Sequence, residues 1–94
     1  MKAILLLRER RIVGEGSFAE VVIWRVASPV PGSAHEFKYP LAFVVEGLCV
    51  IRFDNEVGKG DHKHVDGREV PFAFQSPEQL IEDFWREIEN WRPT

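Results

Sequence analysis

Two apolar runs joined by a two-residue turn constrain the fold of this chain more than any other feature of its sequence. Residues 40–45 and 48–53 are rich in β-branched and aromatic side chains, and Glu46-Gly47 separates them. A two-residue connection that ends in glycine is typical of a β-hairpin, because glycine readily adopts the positive φ that such turns need. The register that this turn sets pairs Val45 with Leu48 and Phe43 with Val50.

Other β-rich segments lie on both sides of this hairpin. Residues 18–26 form a further strand pattern, and residues 14–17 just before them contain two glycines. That arrangement favours a first hairpin with residues 3–13 as its opening strand, although propensity alone permits a helix there. Residues 69–74 predict a short strand, and Pro71 places it at a sheet edge because proline cannot donate to the ladder.

The last part of the chain is predicted to be a helix over residues 77–91. Ser76 can cap its first turn, and Pro77 suits the first helical position, where no backbone N–H is needed. Apolar residues then recur with the period of a helix, at Leu80, Ile81, Phe84, Trp85, Ile88 and Trp91.

These elements together predict an α+β fold. The sheet is expected to be curled and antiparallel, with about five strands that form two hairpins and an edge strand, and the C-terminal helix is expected to pack on one face. A chain of 94 residues suits a single domain, residues 1–94.

Composition excludes several classes of function. The net charge of −3 argues against non-specific binding to nucleic acid. The single cysteine, Cys49, cannot form an internal disulfide, and its apolar neighbours predict a buried thiol. The apolar run at residues 3–7 is too short for a signal peptide or a membrane span. We therefore expect a cytoplasmic protein without membrane association.

Residues 55–67 are predicted to be a long irregular loop, because they hold three glycines and few apolar residues. Long loops in compact domains are disproportionately functional, so the polar segment 52–68 is the first candidate for chemistry. It holds two of the three histidines, and its basic and acidic residues cancel in charge. A solvated surface loop is the alternative interpretation.

His62 and His64 suggest a metal site as one interpretation of this segment. Residues two apart in an extended chain point the same way, so both imidazoles could reach one ion. Asp54, Asp61 or Asp66 would supply a third ligand. The segment lacks the cysteine pairs and the His-x-x-Glu-His helix of the more specific zinc motifs.

A second interpretation is a phosphate contact at Gly58-Lys59-Gly60, where backbone N–H groups and the ammonium would surround an anion.

A third interpretation of this segment is the metal-independent cleavage of RNA. That reaction needs proton transfers, which His62 and His64 could perform near neutral pH, and cations on the developing phosphorane. The available cations are Lys59, Lys63, Arg52 and Arg68, and His35 and Tyr39 from the other irregular stretch would join if the two segments meet.

Three stretches of the sequence resemble the TumE family of small prokaryotic toxins, over most of the chain. They are residues 16–26, residues 29–39 and the motif Asp54-Asn55-x-x-Gly58-Lys59-Gly60-Asp61-His62-x-His64. The resemblance implies a growth-inhibiting protein that an antitoxin, encoded beside it, neutralises. The positions that carry over from the motif and the second stretch are Asp54, Asn55, Lys59, His62, His64, His35 and Tyr39.

The leading hypothesis is therefore a toxin that cleaves RNA without a cofactor or a metal. Its expected partners are an antitoxin protein and RNA, with a homodimer as a further expectation. The expected catalytic residues are His62, His64, Lys59, Asp54 and His35, and the expected substrate-binding residues are Arg52, Asn55, Lys63, Arg68 and Tyr39. The alternatives are a small metal-binding domain that uses His62 and His64, and a non-enzymatic module that binds a partner through Trp85, Trp91 and a sheet edge.

Overall fold

A computed structural model describes residues 3–93 of the chain. Within that range the chain forms seven β-strands and one α-helix. Their bounds are β1 Ile4–Gly14, β2 Ser17–Arg25, β3 Phe37–Lys38, β4 Pro40–Val45, β5 Leu48–Glu56, β6 Gly60–Val65, β7 Arg68–Pro71 and α1 Pro77–Asn90.

All strands join one antiparallel sheet in the order β1-β2-β4-β5-β6-β7, and the short β3 pairs with β2 beside β4. The predicted α+β class is confirmed, with two more strands than the expected five. The opening strand, its hairpin with β2 and the edge position of β7 are also as expected. Successive strands pair with each other, except for β3 and β4, which both pair with β2.

The predicted loop at residues 55–67 is wrong, because most of it is strand. β5 continues to Glu56, a tight turn follows, and β6 begins at Gly60 and pairs with β5 along its length. Gly58 and Gly60 both have positive φ, of 83° and 75°, which lets the chain reverse within three residues. The apolar alternation that marks a strand is missing here, because both faces of β6 carry polar side chains.

The central hairpin has the predicted turn and a different register. Val45 pairs with Leu48 as expected, but Phe43 pairs with Ile51 rather than Val50. The register shifts between Phe43 and Val44, so that β5 has one residue more than β4 in this stretch, as in a β-bulge.

One face of the sheet packs against α1 to form the core. The helix begins as predicted, with the Ser76 hydroxyl accepting a hydrogen bond from the Gln79 N–H at 3.0 Å, and it ends one residue before the predicted end. Buried side chains from both layers fill the core: Ala19, Val21, Ile23, Tyr39, Leu41, Phe43, Ile51, Phe53, Leu80, Phe84 and Ile88.

Two further observations complete the fold. Cys49 is exposed rather than buried, because it lies beside the solvent-facing turn of the central hairpin. No helix in the described range is long and apolar enough to cross a membrane. Since successive residues of a strand face opposite ways, the even-numbered residues of β6 and of β5 from Arg52 onward point away from α1 and form a second, polar face.

Candidate functional site

Six polar side chains gather on the sheet face that points away from α1. The strand register sets Asp54 opposite His62 and Arg52 opposite His64, and it sets His64 opposite Glu69 of β7. Lys59 reaches the same place from the turn before β6. We name this group the polar-face cluster, and its members are Arg52, Asp54, Lys59, His62, His64 and Glu69.

The buried centre of the cluster is the pair Asp54 and His62. Their side chains are 6% and 4% exposed, and Asp54 Oδ1 lies 2.6 Å from His62 Nε2. This distance is within the range of an ion pair, but the two atoms do not have the geometry of a hydrogen bond. Both atoms are therefore buried without a hydrogen-bond partner. The other ring nitrogen, Nδ1, donates to the Gly60 carbonyl at 3.0 Å. Unpartnered buried polar atoms are costly, and where they occur in native proteins they often mark function.

Arg52 links this buried pair to solvent. Its Nε donates to Asp54 Oδ2 at 2.6 Å, and this hydrogen bond raises the pKa of the guanidinium further above its ordinary value. The Arg52 side chain is 48% exposed, so the rest of the guanidinium is open to an anion. Asp54 therefore fixes the position of a cation on the face of the sheet.

His64 is the imidazole of the cluster that solvent reaches. Its side chain is 35% exposed, and its Nε2 lies 3.0 Å from Glu69 Oε1. The same oxygen accepts a hydrogen bond from Lys59 Nζ at 2.8 Å. That bond raises the pKa of Lys59 and lowers the pKa of Glu69, so both groups are held in their charged forms. A partly exposed imidazole thus lies between a carboxylate and two cations.

His35 and Tyr39 form a different group around Asp61, on the other face of β6. Asp61 Oδ1 accepts hydrogen bonds from the Tyr39 hydroxyl at 2.6 Å and from His35 Nε2 at 2.8 Å. Burial, and then the hydrogen bond and charge of Asp61, raise the pKa of Tyr39 far above its ordinary value. His35 Nδ1 accepts from the Phe37 N–H, so both of its ring nitrogens are occupied within the domain.

Asn55 holds the same segment in place. Its side chain accepts from the Tyr39 N–H at 3.1 Å and donates to the Phe37 carbonyl at 2.7 Å and the Ser33 hydroxyl at 3.3 Å. The two segments that looked irregular in the sequence do meet, which was the condition for His35 and Tyr39 to join the site for RNA cleavage. They meet around Asp61, however, and alternation along β6 places His62 on the opposite face.

The glycines around Lys59 serve packing rather than an anion cradle. The Gly58 N–H donates to the Pro31 carbonyl at 2.6 Å, and the Lys59 N–H donates to the Glu56 carbonyl at 3.1 Å. A Cβ on Gly60 would lie 2.8 Å from the Gly32 carbonyl oxygen. The backbone groups that would bind a phosphate are therefore already used.

Two further predicted substrate-binding residues, besides Asn55 and Tyr39, lie apart from the cluster. Lys63 faces α1, where its Nζ contacts Glu87 Oε2 at 2.5 Å. Arg68, in β7, is exposed and lies opposite Val65 of β6.

The two C-terminal tryptophans make contacts within the domain. The indole Nε1 of Trp91 donates to Asp66 Oδ1 at 2.8 Å, and Trp85 lies under the Arg11 guanidinium.

Two sets of side chains in and beside the polar-face cluster have the spacing of metal ligands. One is His62, His64 and Glu69, and the other is Asp54, Glu56 and His62; within each set the ligand atoms lie within 4.8 Å of one another. His62 belongs to both sets. The donors are imidazole and carboxylate, which suit zinc and similar divalent ions.

Glu69 and Asp61 are the two residues that reasoning from the sequence did not place at the centre of a site. Glu69 binds Lys59 and His64, and Asp61 binds His35 and Tyr39. A signal for Glu69 existed in the sequence. If residues 60–65 are read as a strand, a turn at residues 66–67 sets Glu69 directly opposite His64.

The fold and the cluster define a class of protein, a small α+β domain with paired imidazoles and carboxylates on an open sheet face. The family model described as Toxin TumE matches residues 2–92, and the chain belongs to this family. No curated protein and no solved structure matches the chain. Membership makes the protein a toxin of a toxin–antitoxin system, and it implies an antitoxin as partner.

Proposed function

We propose that this toxin cleaves RNA by metal-independent acid–base catalysis on the polar-face cluster. The observation that carries the proposal is the position of His64, a partly exposed imidazole 3.0 Å from the Glu69 carboxylate and directly opposite Arg52. Imidazole transfers protons near neutral pH, and a neighbouring carboxylate orients it.

The reaction that suits this geometry is attack by an RNA 2′-hydroxyl on the adjacent phosphorus. His64 accepts the hydroxyl proton while the new O–P bond forms. The bond from phosphorus to the 5′-oxygen, on the far side of phosphorus from the attacking oxygen, then breaks. The leaving oxygen takes a proton from water, and His64 releases its own proton to water. The products are a 2′,3′-cyclic phosphate and a free 5′-hydroxyl. His64 is therefore the general base of this reaction.

Arg52 and Lys59 supply the positive charge that the pentacoordinate phosphorane needs. Arg52 lies opposite His64 in the neighbouring strand and is held by Asp54. Lys59 is held by Glu69, which also contacts His64. Because both are fixed before substrate arrives, they stabilise the developing charge without reorganisation. His62 is too buried to meet substrate, and we assign it with Asp54 to the positioning of Arg52 and the cluster.

Growth of cells that express the toxin without its antitoxin tests this assignment. The wild-type protein is expected to arrest growth, and His64→Ala is expected to restore it. Lys59→Ala and Lys63→Ala form a matched pair, because only Lys59 lies in the cluster. Lys59→Ala should weaken the arrest and Lys63→Ala should leave it intact. Arrest by the His64→Ala protein at wild-type expression and fold would contradict the proposal.

A divalent metal ion at His62 is a second candidate function, which a specific observation favours. The hydrogen bond from Nδ1 to the Gly60 carbonyl leaves Nε2 facing the carboxylate of Asp54. Metal-binding histidines commonly make this bond with their other ring nitrogen. Dialysis of the wild-type and His62→Ala proteins against zinc, and then against buffer, separates the candidates. One retained ion per wild-type chain, lost in the variant, supports the metal site, and no retained zinc contradicts it.

We also propose that the toxin acts in the cytoplasm, and that it is a monomer rather than the homodimer expected from the sequence, with its antitoxin paired to the outer edge of β1. In the described part of the chain, nothing pairs with that edge, and its large apolar side chains are exposed. An antiparallel pairing of two copies centred on Glu9 would set this residue against itself and Arg8 against Arg10, which is unfavourable. A monomer mass in light scattering is expected, and a dimer would contradict the proposal.

A further inference from the structure

A cavity of about 240 Å³ lies on the same sheet face as the polar-face cluster and next to it. It is built where β2, β3, β4 and β5 lie side by side, with Trp24 opposite Lys38 and Pro40 opposite Asp54. Its lining includes the side chains of Trp24, Lys38, Pro40, Arg52, Asp54 and Glu56. We name this cavity the Trp24 pocket.

Trp24 differs from the other two tryptophans in its surroundings. Trp85 and Trp91 pack against the hydrophobic core, whereas Trp24 is not among the residues that do so. Its neighbour Ile23 is 1% exposed and faces α1, so alternation along β2 turns the half-buried indole to the polar face. A large aromatic surface on a polar face, beside a cavity, is available to a ligand.

The lining of the pocket combines three kinds of group. Trp24 offers a flat aromatic surface, Lys38 and Arg52 offer positive charge, and Glu56 offers a carboxylate that only accepts hydrogen bonds. Cations that follow a phosphate backbone, together with aromatic rings on which bases stack, are the features that bind single-stranded nucleic acid. The volume is below the roughly 300–1,000 Å³ of pockets for drug-sized ligands, and it suits one planar base.

We infer that the Trp24 pocket holds one unpaired base of single-stranded RNA, stacked on the Trp24 indole. The inference rests on the proposed RNA cleavage and names where its substrate binds. Arg52 connects the two sites, because it lines the pocket, bonds Asp54 and lies opposite His64 in the neighbouring strand. A base in the pocket therefore directs its phosphate along Arg52 toward His64.

Glu56 gives the pocket a preference among bases. A carboxylate accepts a hydrogen bond from an exocyclic amino group, which adenine, cytosine and guanine have and uracil lacks. Glu56 is exposed at the end of β5, where it can meet the edge of a stacked base. Oligonucleotides of adenine or cytosine are expected to bind more tightly than oligouridine.

Fluorescence anisotropy of a labelled oligoadenine RNA, with proteins that also carry His64→Ala to prevent cleavage, tests the pocket. Trp24→Ala should weaken binding roughly 5- to 150-fold, because stacking on an aromatic side chain contributes about 1–3 kcal/mol per base. Trp24→Phe should restore most of the affinity. Trp85→Ala is the matched control on the helix, and its binding should equal that of the parent. Glu56→Gln should reduce the preference for oligoadenine over oligouridine.

The outcomes separate the pocket from the proposed function. Equal binding by the parent and the Trp24→Ala protein overturns the pocket, and it does so even where the protein with His64 intact cleaves RNA. Weaker binding in both Trp24→Ala and Trp85→Ala overturns it too, because the effect would then come from the fold. Absence of cleavage by the wild-type protein overturns the proposed function instead, whatever the binding data show.

Discussion

Tyr39 is the only tyrosine in the chain, so its ionisation can be followed without interference from another phenol. Its side chain is almost completely buried, and its hydroxyl donates to Asp61 at 2.6 Å. Burial is the largest cause of its raised pKa, and the hydrogen bond and charge of Asp61 add to it. The folded protein is therefore expected to keep Tyr39 protonated at a pH where the unfolded chain has lost that proton.

The consequence for stability has a definite sign and size. The unfolded chain ionises Tyr39 near its ordinary pKa of 10.0, and the folded chain does so only at much higher pH. The contribution of Tyr39 is therefore fully present below pH 10 and is lost as the pH rises above it. Each further pH unit should lower the free energy of unfolding by about 1.4 kcal/mol.

Two measurements test this expectation. The near-ultraviolet absorbance of tyrosinate should stay absent from the folded protein near pH 10 and appear only as the chain unfolds. Urea denaturation across the same pH range should show a steeper fall in stability for the wild-type protein than for Tyr39→Phe, which has no proton to lose. Tyrosinate absorbance that develops near pH 10 in the folded protein, or equal slopes for the two proteins, would refute the reasoning.

Three predictions concern the fold that carries the site. Gly32→Ala should destabilise the protein more than Gly47→Ala, because both glycines have positive φ but a Cβ on Gly32 would lie 2.8 Å from the Gly60 nitrogen, whereas nothing lies within 4 Å at Gly47. Urea midpoints of the two variants compare them, and equal midpoints would contradict the close approach. Phe84→Ala should cost about 3–5 kcal/mol of unfolding free energy, since Phe84 is fully buried in the core. A loss of unfolding free energy smaller than that of an alanine substitution at an exposed position would show that α1 does not pack on the sheet through Phe84. Ser76→Ala should cost about 1 kcal/mol through loss of the helix cap, and an unchanged thermal midpoint would exclude the cap.

The elements with a regular apolar pattern could be predicted from the sequence. The helix, β2 and the central hairpin each bury one face, and burial imposes the period that marks them. β1 has no buried residue and was inferred instead from the glycine-rich turn before β2. The strand β6 could not be predicted in this way. His62 and His64 lie on one of its faces and Asp61 and Lys63 on the other, so no apolar alternation exists to read.

Most residues of the candidate site were predictable from the sequence, but Glu69 and the arrangement of the site were not. Asp54, Lys59, His62 and His64 were all identified, and the structure brings them together. His35 belongs to the same family resemblance and lies with Asp61 instead. Adjacent residues such as Asp61 and His62 face opposite ways in a strand, and a motif in a sequence does not show this until its secondary structure is known.

The proposed role of His64 can be measured directly with purified protein. Wild-type and His64→Ala proteins are treated with a chelator and incubated with single-stranded RNA, and the rate of cleavage and the chemistry of the new ends are determined. The wild-type protein should cleave and leave 2′,3′-cyclic phosphate ends. His64→Ala should be slower by about 10²- to 10⁴-fold, the usual contribution of a general acid–base residue, with an unchanged thermal midpoint. Cleavage by the folded His64→Ala protein at the wild-type rate would contradict the central claim.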